Sequence, residues 1–280
     1  MTESTYIVPG APRLALLSDL HGRPYQEAVR LVRDFRPEMI CITGDLITGI
    51  LPEDDISPLV SQPYVLPFLE KCTEIAPTFV SLGNHEQVLD EADLRKIERT
   101  GVMVLDNRWV RKDKWIIGGL TSACVTDYRK AKPKDSPLRY PKILHIQRAR
   151  IPETGWLDDF AGQEGFHILL SHQPEYYPLI PNNIELMLSG HAHGGQIRLF
   201  RRGLFAPGQG WFPKYTKGKY DNRLIVSVGL SNTASPIPGS SIRLRLCLLC
   251  RDKKVEQKGR FLLFRYFQKK KCPFCSKLYG

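Results

Sequence analysis

The chain has 280 residues, 42% of them hydrophobic, which suits a single large α/β domain or one domain with an appendage. It contains no run of about 18 uninterrupted apolar residues. Residues 1–12 also lack the basic-then-apolar plan of a secretion leader, so the expected location is cytoplasmic, including the periphery of a membrane. The net charge of +11 is uneven: residues 241–280 hold 12 of the 40 Lys and Arg and 2 of the 29 Asp and Glu, a net +10, which leaves the body at +1.

In chain order, the opening reads as a βαβ unit. An apolar run at 14–17 is followed by Ala28, Val29, Leu31, Val32 and Phe35 at helical spacing and by a second apolar run at 39–42, with Pro37 between helix and strand. Such a crossover places the two strands parallel, with their ends side by side. Helical patterns follow at 58–75 and 91–99, and strand-like runs at 78–82, 102–105, 115–119, 166–170, 184–188, 197–200, 224–228 and 242–249. Early α/β alternation giving way to a strand-rich second half predicts two packed sheets flanked by helices. Residues 126–150 are polar, basic and interrupted by Pro133, Pro137 and Pro141, which predicts a loop or cap with a solvated charged face.

Five short motifs carry chemistry. Asp19 and His21 follow the first strand in Ser-Asp-Leu-His, Asp45 follows the second in Thr-Gly-Asp-Leu, and Asn84 and His85 follow the third in Gly-Asn-His-Glu. Downstream, His172 follows the 166–170 run in Ser-His-Gln-Pro, and His191 and His193 follow the 184–188 run in Ser-Gly-His-Ala-His-Gly-Gly. Ligand sites of open α/β sheets form beyond the carboxyl ends of strands, where all of these residues fall. Singly, each motif is common turn chemistry. Together they gather five of the seven histidines with two aspartates at strand ends. Borderline divalent metals accept imidazole nitrogen and carboxylate oxygen, and one aspartate can bridge two ions through its two oxygens. Two ions about 3.5–4 Å apart can clamp a phosphoryl group.

In order and spacing, these motifs across residues 13–235 resemble those of the calcineurin-like metallophosphoesterase superfamily. Ser-Gly-His-Ala-His-Gly-Gly-Gln and Pro-Lys-Tyr-Thr-Lys-Gly-Lys-Tyr most resemble the bacterial YkuE/YaeI-like phosphodiesterase branch. The resemblance implies an α/β four-layer sandwich of two mixed β-sheets flanked by helices. It also implies a catalytic domain over 1–240, with residues 241–280 supplying a last strand and a basic, cysteine-bearing tail. Carried over by position, it puts Asp19, His21 and His193 on one metal, Asn84, His172 and His191 on the other, and Asp45 between them. His85 would be no ligand; it would contact the phosphate and, as general acid, protonate the departing oxygen after in-line attack by metal-bound hydroxide. The two divalent ions could be Mn, Fe, Zn, Ni or Co, all of which tolerate mixed N/O ligands.

The chain departs from the family at Thr48, where many relatives carry an acidic residue three positions after the bridging aspartate. The same segment lacks the arginine that phosphoprotein phosphatases place beyond that aspartate, so the expected substrate is a phosphodiester, either a small molecule or lipid-linked. Two alternatives stay open. One is a phosphomonoesterase or a nucleotide or UDP-sugar-lipid pyrophosphatase on the same site; the other is a metal-binding module acting through its tail.

Outside the motifs, His145 and His167 read as surface and strand residues, and Tyr215 and Tyr220 as pocket lining or half-buried packing. Gly194, Gly195 and Gln196 read as phosphate-pocket or simple turn residues. In the tail, Cys247 with Cys250 and Cys272 with Cys275 have the spacing of a Cys₄ zinc ribbon, but leucines surround the first pair as in a buried strand. Residues 261–271 mix aromatics with terminal lysines, a composition suited to an anionic membrane surface, to nucleic acid, or to a terminal helix docked on the body. No protein partner is expected.

Overall fold

The structure, a computed structural model, describes residues 2–48, 57–123, 151–195, 197–199, 202–231 and 245–251. In chain order its elements are β1 (Thr2–Val8), β2 (Leu14–Leu17), α1 (Gln26–Phe35), β3 (Met39–Ile42), α2 (Val65–Thr73), β4 (Thr78–Ser81), α3 (Glu91–Glu98), β5 (Met103–Leu105), β6 (Arg108–Lys112) and β7 (Trp115–Leu120). There follow α4 (Leu157–Ala161), β8 (Phe166–Ser171), β9 (Leu186–Ser189), β10 (Ile197–Leu199), β11 (Arg202–Ala206), β12 (Gly210–Trp211), β13 (Gly218–Tyr220), β14 (Leu224–Val226) and β15 (Arg245–Arg251).

Two six-stranded mixed sheets form the body, in the orders β1-β15-β2-β3-β4-β5 and β13-β14-β9-β8-β7-β6, and β10–β12 make a small third sheet. Strands β2 to β5 run parallel, as do β7, β8, β9 and β14. The short strands β2, β3, β4 and β9 are buried at every position, because each parallel core is covered on both faces. Leu14, Leu16, Cys41, Phe79, Ile168, Leu188 and Leu249 pack between the two sheets. Ala28, Val32, Phe68, Leu69 and Ile97 from α1, α2 and α3 cover the outer face of the first sheet, and Leu157 and Phe160 from α4 the outer face of the second. The result is the expected four-layer α/β arrangement. Each fully buried aliphatic side chain contributes about 1.5–3 kcal/mol to it.

Sequence and structure diverge where local signals compete. Helix α2 starts at Val65 rather than near residue 58, because Pro58 and Pro63 lack the amides a continuous helix needs; Pro67 fits inside it because first-turn amides have no helical partner. Strand β1 carries no apolar run. Exposed Glu3, Thr5 and Ile7 alternate with half-buried Ser4 and Tyr6 on this edge strand, so one of its faces meets solvent. Strand β15 falls on the run expected as the last strand, and what the sequence did not foresee is its place between β1 and β2 within the first sheet, paired with both. Cys247 is buried in the core on that strand. The Cys250 side chain, Cys272, Cys275, the loop at 126–150 with His145, Gln196 and the segment 261–271 lie outside the described residues.

Candidate metal centre

Parallel pairing sets the carboxyl ends of β2, β3 and β4 side by side, and those of β8 and β9 likewise, so the motif residues converge from both sheets. The loops are laced together: Asp19 N–H donates to Gly44 O at 3.0 Å, His21 N–H to Asp45 O at 3.0 Å, and Gly22 N–H to Leu46 O at 2.8 Å. Across the sheets, His191 N–H donates to Asp19 Oδ1 at 3.2 Å, and His172 Nδ1 lies 2.6 Å from Thr43 O.

All eight expected site residues are buried: Asp19, His21, Asp45, Asn84, His85, His172, His191 and His193 range from 0% to 9% exposed, with His85 the most open. Asp45 is the hub. Its Oδ2 lies 3.0 Å from His172 Nε2, 3.5 Å from His85 Nε2 and 3.8 Å from His21 Nε2. Asp19 Oδ1 is 3.3 Å from His193 Nε2, and His172 Nε2 is 3.1 Å from His191 Nδ1. Three groups bring ligand atoms within 4.8 Å of one another: Asp19, His21 and His193; His21, Asp45 and His85; and Asp45, His172 and His191. Asn84 is buried between Gly83 and His85, and the His85 N–H donates to Asp45 Oδ1 at 3.2 Å.

Backbone strain concentrates here. Asp19, His21, Asp45, His191 and His193 adopt left-handed conformations with φ of 55°, 48°, 54°, 64° and 47°. Asp and His tolerate this region better than most side chains, but each such residue still costs of order 1 kcal/mol and persists only where its surroundings dictate it. Among the motif glycines, Gly44, with φ 83°, serves a sharp turn. Gly83 and Gly190 have no left-handed φ and serve close approach instead: a Cβ on Gly83 would stand 2.3 Å from Asp45 Oδ1, and one on Gly190 2.7 Å from Asp19 Oδ2.

Two residues the sequence reading missed hold the loop. Glu86, 2% exposed, accepts from the backbone amides of Asp45 (2.7 Å), Leu46 (2.7 Å), Ile47 (3.2 Å) and Gly83 (2.8 Å). Gln62 accepts from Thr48 N–H at 2.8 Å, so the position lacking the acidic residue is tied down through its backbone. His85 is oriented by Asp45 and by an edge-on contact with His21, with ring centroids 4.9 Å apart. The only sequence signal for Glu86 was its place in Gly-Asn-His-Glu, and three of its four amide partners lie about 40 positions upstream.

Electrostatics follow from packing carboxylates and imidazoles together away from water. Burial pushes Asp45 up, but His172, His85 and His21 outweigh it and hold the carboxyl well below its usual range. Asp19 is likewise held low by His193, His172 and His21 against burial. Burial lowers His172 as well, yet Asp45, Asp19 and Glu86 prevail and raise it to about 10. His21 and His191 go the other way: burial depresses them to about 4 and about 3. Burial and the Asp45 charge raise Glu86 despite its amide bonds. Burial raises Glu175 to about 7.

The cluster fits divalent cations. Asp19 Oδ2, His21 Nε2 and His193 Nδ1 are buried with no hydrogen-bond partner among the described residues, a state that costs about 1–3 kcal/mol per group if nothing compensates it. Imidazole and carboxylate are the donor types such ions select. His167 plays no part here; its Nδ1 lies 2.9 Å from Glu185 on the second sheet. Tyr215 is 4% exposed and packs edge-on against Tyr220 and Tyr177, with centroids 5.2 and 5.8 Å apart.

Two mixed sheets carrying a buried Asp/His cluster at converging strand ends make this an α/β domain with a candidate metal centre. The chain belongs to the calcineurin-like phosphoesterase family, whose model matches residues 12–195. It is similar to an uncharacterized metallophosphoesterase of Bacillus subtilis, YkoQ, at 27% identity over 190 residues, covering 65% of this chain and 60% of that protein. A second B. subtilis protein, YpbG, is 27% identical over 254 residues, covering 86% of this chain and 83% of its own length. A putative metallophosphoesterase of Caenorhabditis elegans is 28% identical over 253 residues, of which the match covers 46% of its own length. The chain thus spans about half of several curated relatives it matches. Among the described residues, no helix is long and apolar enough to cross a membrane.

Proposed function

We propose that the chain hydrolyses a phosphodiester at this cluster, as the YkuE/YaeI-like resemblance implies. The observation that carries the reading is one buried carboxylate, Asp45, within 3.0–3.8 Å of three imidazoles, with a second carboxylate and two further imidazoles beside it. Asp19, His21 and His193 would hold one ion, Asn84, His172 and His191 the other, and Asp45 both. When bound, two divalent ions supply Lewis acidity at the phosphoryl oxygens and an acidified water. The protein does the rest. Contacts of His172 with Thr43 O and of His21 Nδ1 with Ile47 O, at 2.6 and 3.2 Å, fix which ring nitrogen faces inward. Glu86 holds the Asp45 loop rigid. His85, the most open member of the set, would pass a proton to the departing oxygen.

A diester is favoured because Gly-Asp-Leu-Ile-Thr-Gly around Asp45 lacks the arginine that phosphoprotein phosphatases place beyond the bridging aspartate. Guanidinium pairs are the usual clamp for the extra charge of a phosphomonoester. The test compares bis-p-nitrophenyl phosphate with p-nitrophenyl phosphate in Mn²⁺, for the wild type and for Asp45→Asn and His85→Ala. Faster diester turnover that is lost in Asp45→Asn and falls much less in His85→Ala, because p-nitrophenolate departs without a proton, supports the reading. A monoester preference would convert it to a phosphomonoesterase, and full activity in both variants would remove the site. We further propose that the basic tail contacts an anionic membrane surface. Because β15 belongs to the sheet, the informative truncation begins at residue 252, and unchanged binding to anionic liposomes would discard this part.

A further inference from the structure

Glu175 stands three residues after His172, in the 3₁₀ turn Pro174–Leu179, and nothing above uses it. Its side chain is 12% exposed, and Oε1 lies 3.8 Å from His191 Nε2. Apart from its own backbone amide, neither carboxylate oxygen has a hydrogen-bond partner among the described residues. The other ring nitrogen of His191, Nδ1, faces His172 Nε2 at 3.1 Å, and that atom in turn faces Asp45 at 3.0 Å. His191 therefore turns one nitrogen to the cluster and the other to Glu175. The turn between β11 and β12 makes room for this pair. A Cβ on Gly208 would stand 1.8 Å from Glu175 Oε1 and 3.2 Å from His191 Nε2, so any larger residue would displace the carboxylate.

We propose that Glu175 is a positioning residue for His191: it accepts the Nε2 proton, which fixes the tautomer whose Nδ1 lone pair points to the metal. Ligand histidines are commonly held this way, by a carboxylate on the ring nitrogen away from the metal. The present 3.8 Å separation is about 0.6–1 Å longer than an N–H···O hydrogen bond. This inference rests on the metal-centre reading but can fail separately from it.

The experiment titrates the metal-stripped full chain with Mn²⁺ by calorimetry and counts bound metal, for the wild type, Glu175→Leu and Glu175→Gln. Glu175→Leu is expected to weaken one of the two Mn²⁺ ions by about 10–100-fold and leave the other within about threefold. Glu175→Gln, which keeps an oxygen acceptor, is expected to recover most of that loss. Long-range ¹H–¹⁵N spectra of the metal-free protein should show His191 protonated at Nε2 in the wild type and as mixed tautomers in Glu175→Leu, a change that lost packing alone would not cause. If Glu175→Leu does not fold, Gly208→Ala takes its place, displacing the carboxylate instead of deleting it, with the same expected loss. Wild-type affinity for both ions with an unchanged His191 tautomer would overturn the proposal. A wild type that binds no Mn²⁺ would sink the metal-centre reading, and the tautomer spectra would still decide the Glu175 contact.

Discussion

Loading the site with metal should release a proton, and the structure says from where. His172 lies 3.0 Å from Asp45 in a fully buried setting and is held at about 10, so at pH 7 the metal-free protein carries an imidazolium there. A ligand imidazole must be neutral. The sign is fixed: the raised group keeps its proton below about 10, and metal binding has to remove it. At pH 7, three units lower, that step costs about 4 kcal/mol, and the apparent affinity rises about tenfold per pH unit until the group titrates. His21 and His191, held near 4 and 3, are already neutral and release nothing. The discriminating window is pH 8–9, where an ordinary imidazole, with a pKa of about 6.5, carries no proton. Calorimetric Mn²⁺ titrations there, under argon and in buffers of contrasting ionisation heat, should report at least one proton released per pair of ions, the excess over one coming from acidified water. A pH-independent affinity with no proton released would refute the charged Asp45–His172 pair and with it the electrostatic account of the site.

Other outcomes follow from the same geometry. Asp45→Asn removes the carboxylate shared by three imidazoles, and because paired ions supply several kcal/mol of transition-state stabilisation, kcat/KM should fall by more than about 10³-fold, with metal content reduced in the same preparation. His85→Ala should keep both metals yet lose about 10²–10⁴-fold in kcat on an alkyl phosphodiester, and much less on a p-nitrophenyl ester, whose leaving group needs no proton; an equal loss on both would exclude the general-acid role. Glu86→Gln turns an amide donor toward the Asp45 and Gly83 amides that Glu86 Oε2 now accepts at 2.7 and 2.8 Å. That mismatch should cost about 2–3 kcal/mol and lower Tm by roughly 5–10 °C in thermal unfolding.

The parallel core was legible in the sequence because a strand covered on both faces reads as an unbroken apolar run, as at Leu14–Leu17 and Met39–Ile42. The site was legible for a related reason: its residues come in short motifs directly after such runs, and parallel pairing carries them to one end. What stayed hidden depends on distance along the chain. Glu86 binds amides about 40 positions upstream, and Glu175 meets His191 only because Gly208, more than 30 positions further on, leaves room. Nothing local marks either carboxylate as buried. Strand β1 was missed because an edge strand with one open flank shows no apolar run, and the sheet position of β15 became visible only through its pairing with β1 and β2.

The most direct test of the central claim is a phosphodiester assay on one preparation before and after metal stripping, with Mn²⁺ restored in measured equivalents. The account predicts no turnover of bis-p-nitrophenyl phosphate in the stripped protein, recovery that saturates at about two ions per chain, and no recovery in Asp45→Asn. Turnover that survives stripping, or that returns equally in Asp45→Asn, would contradict it.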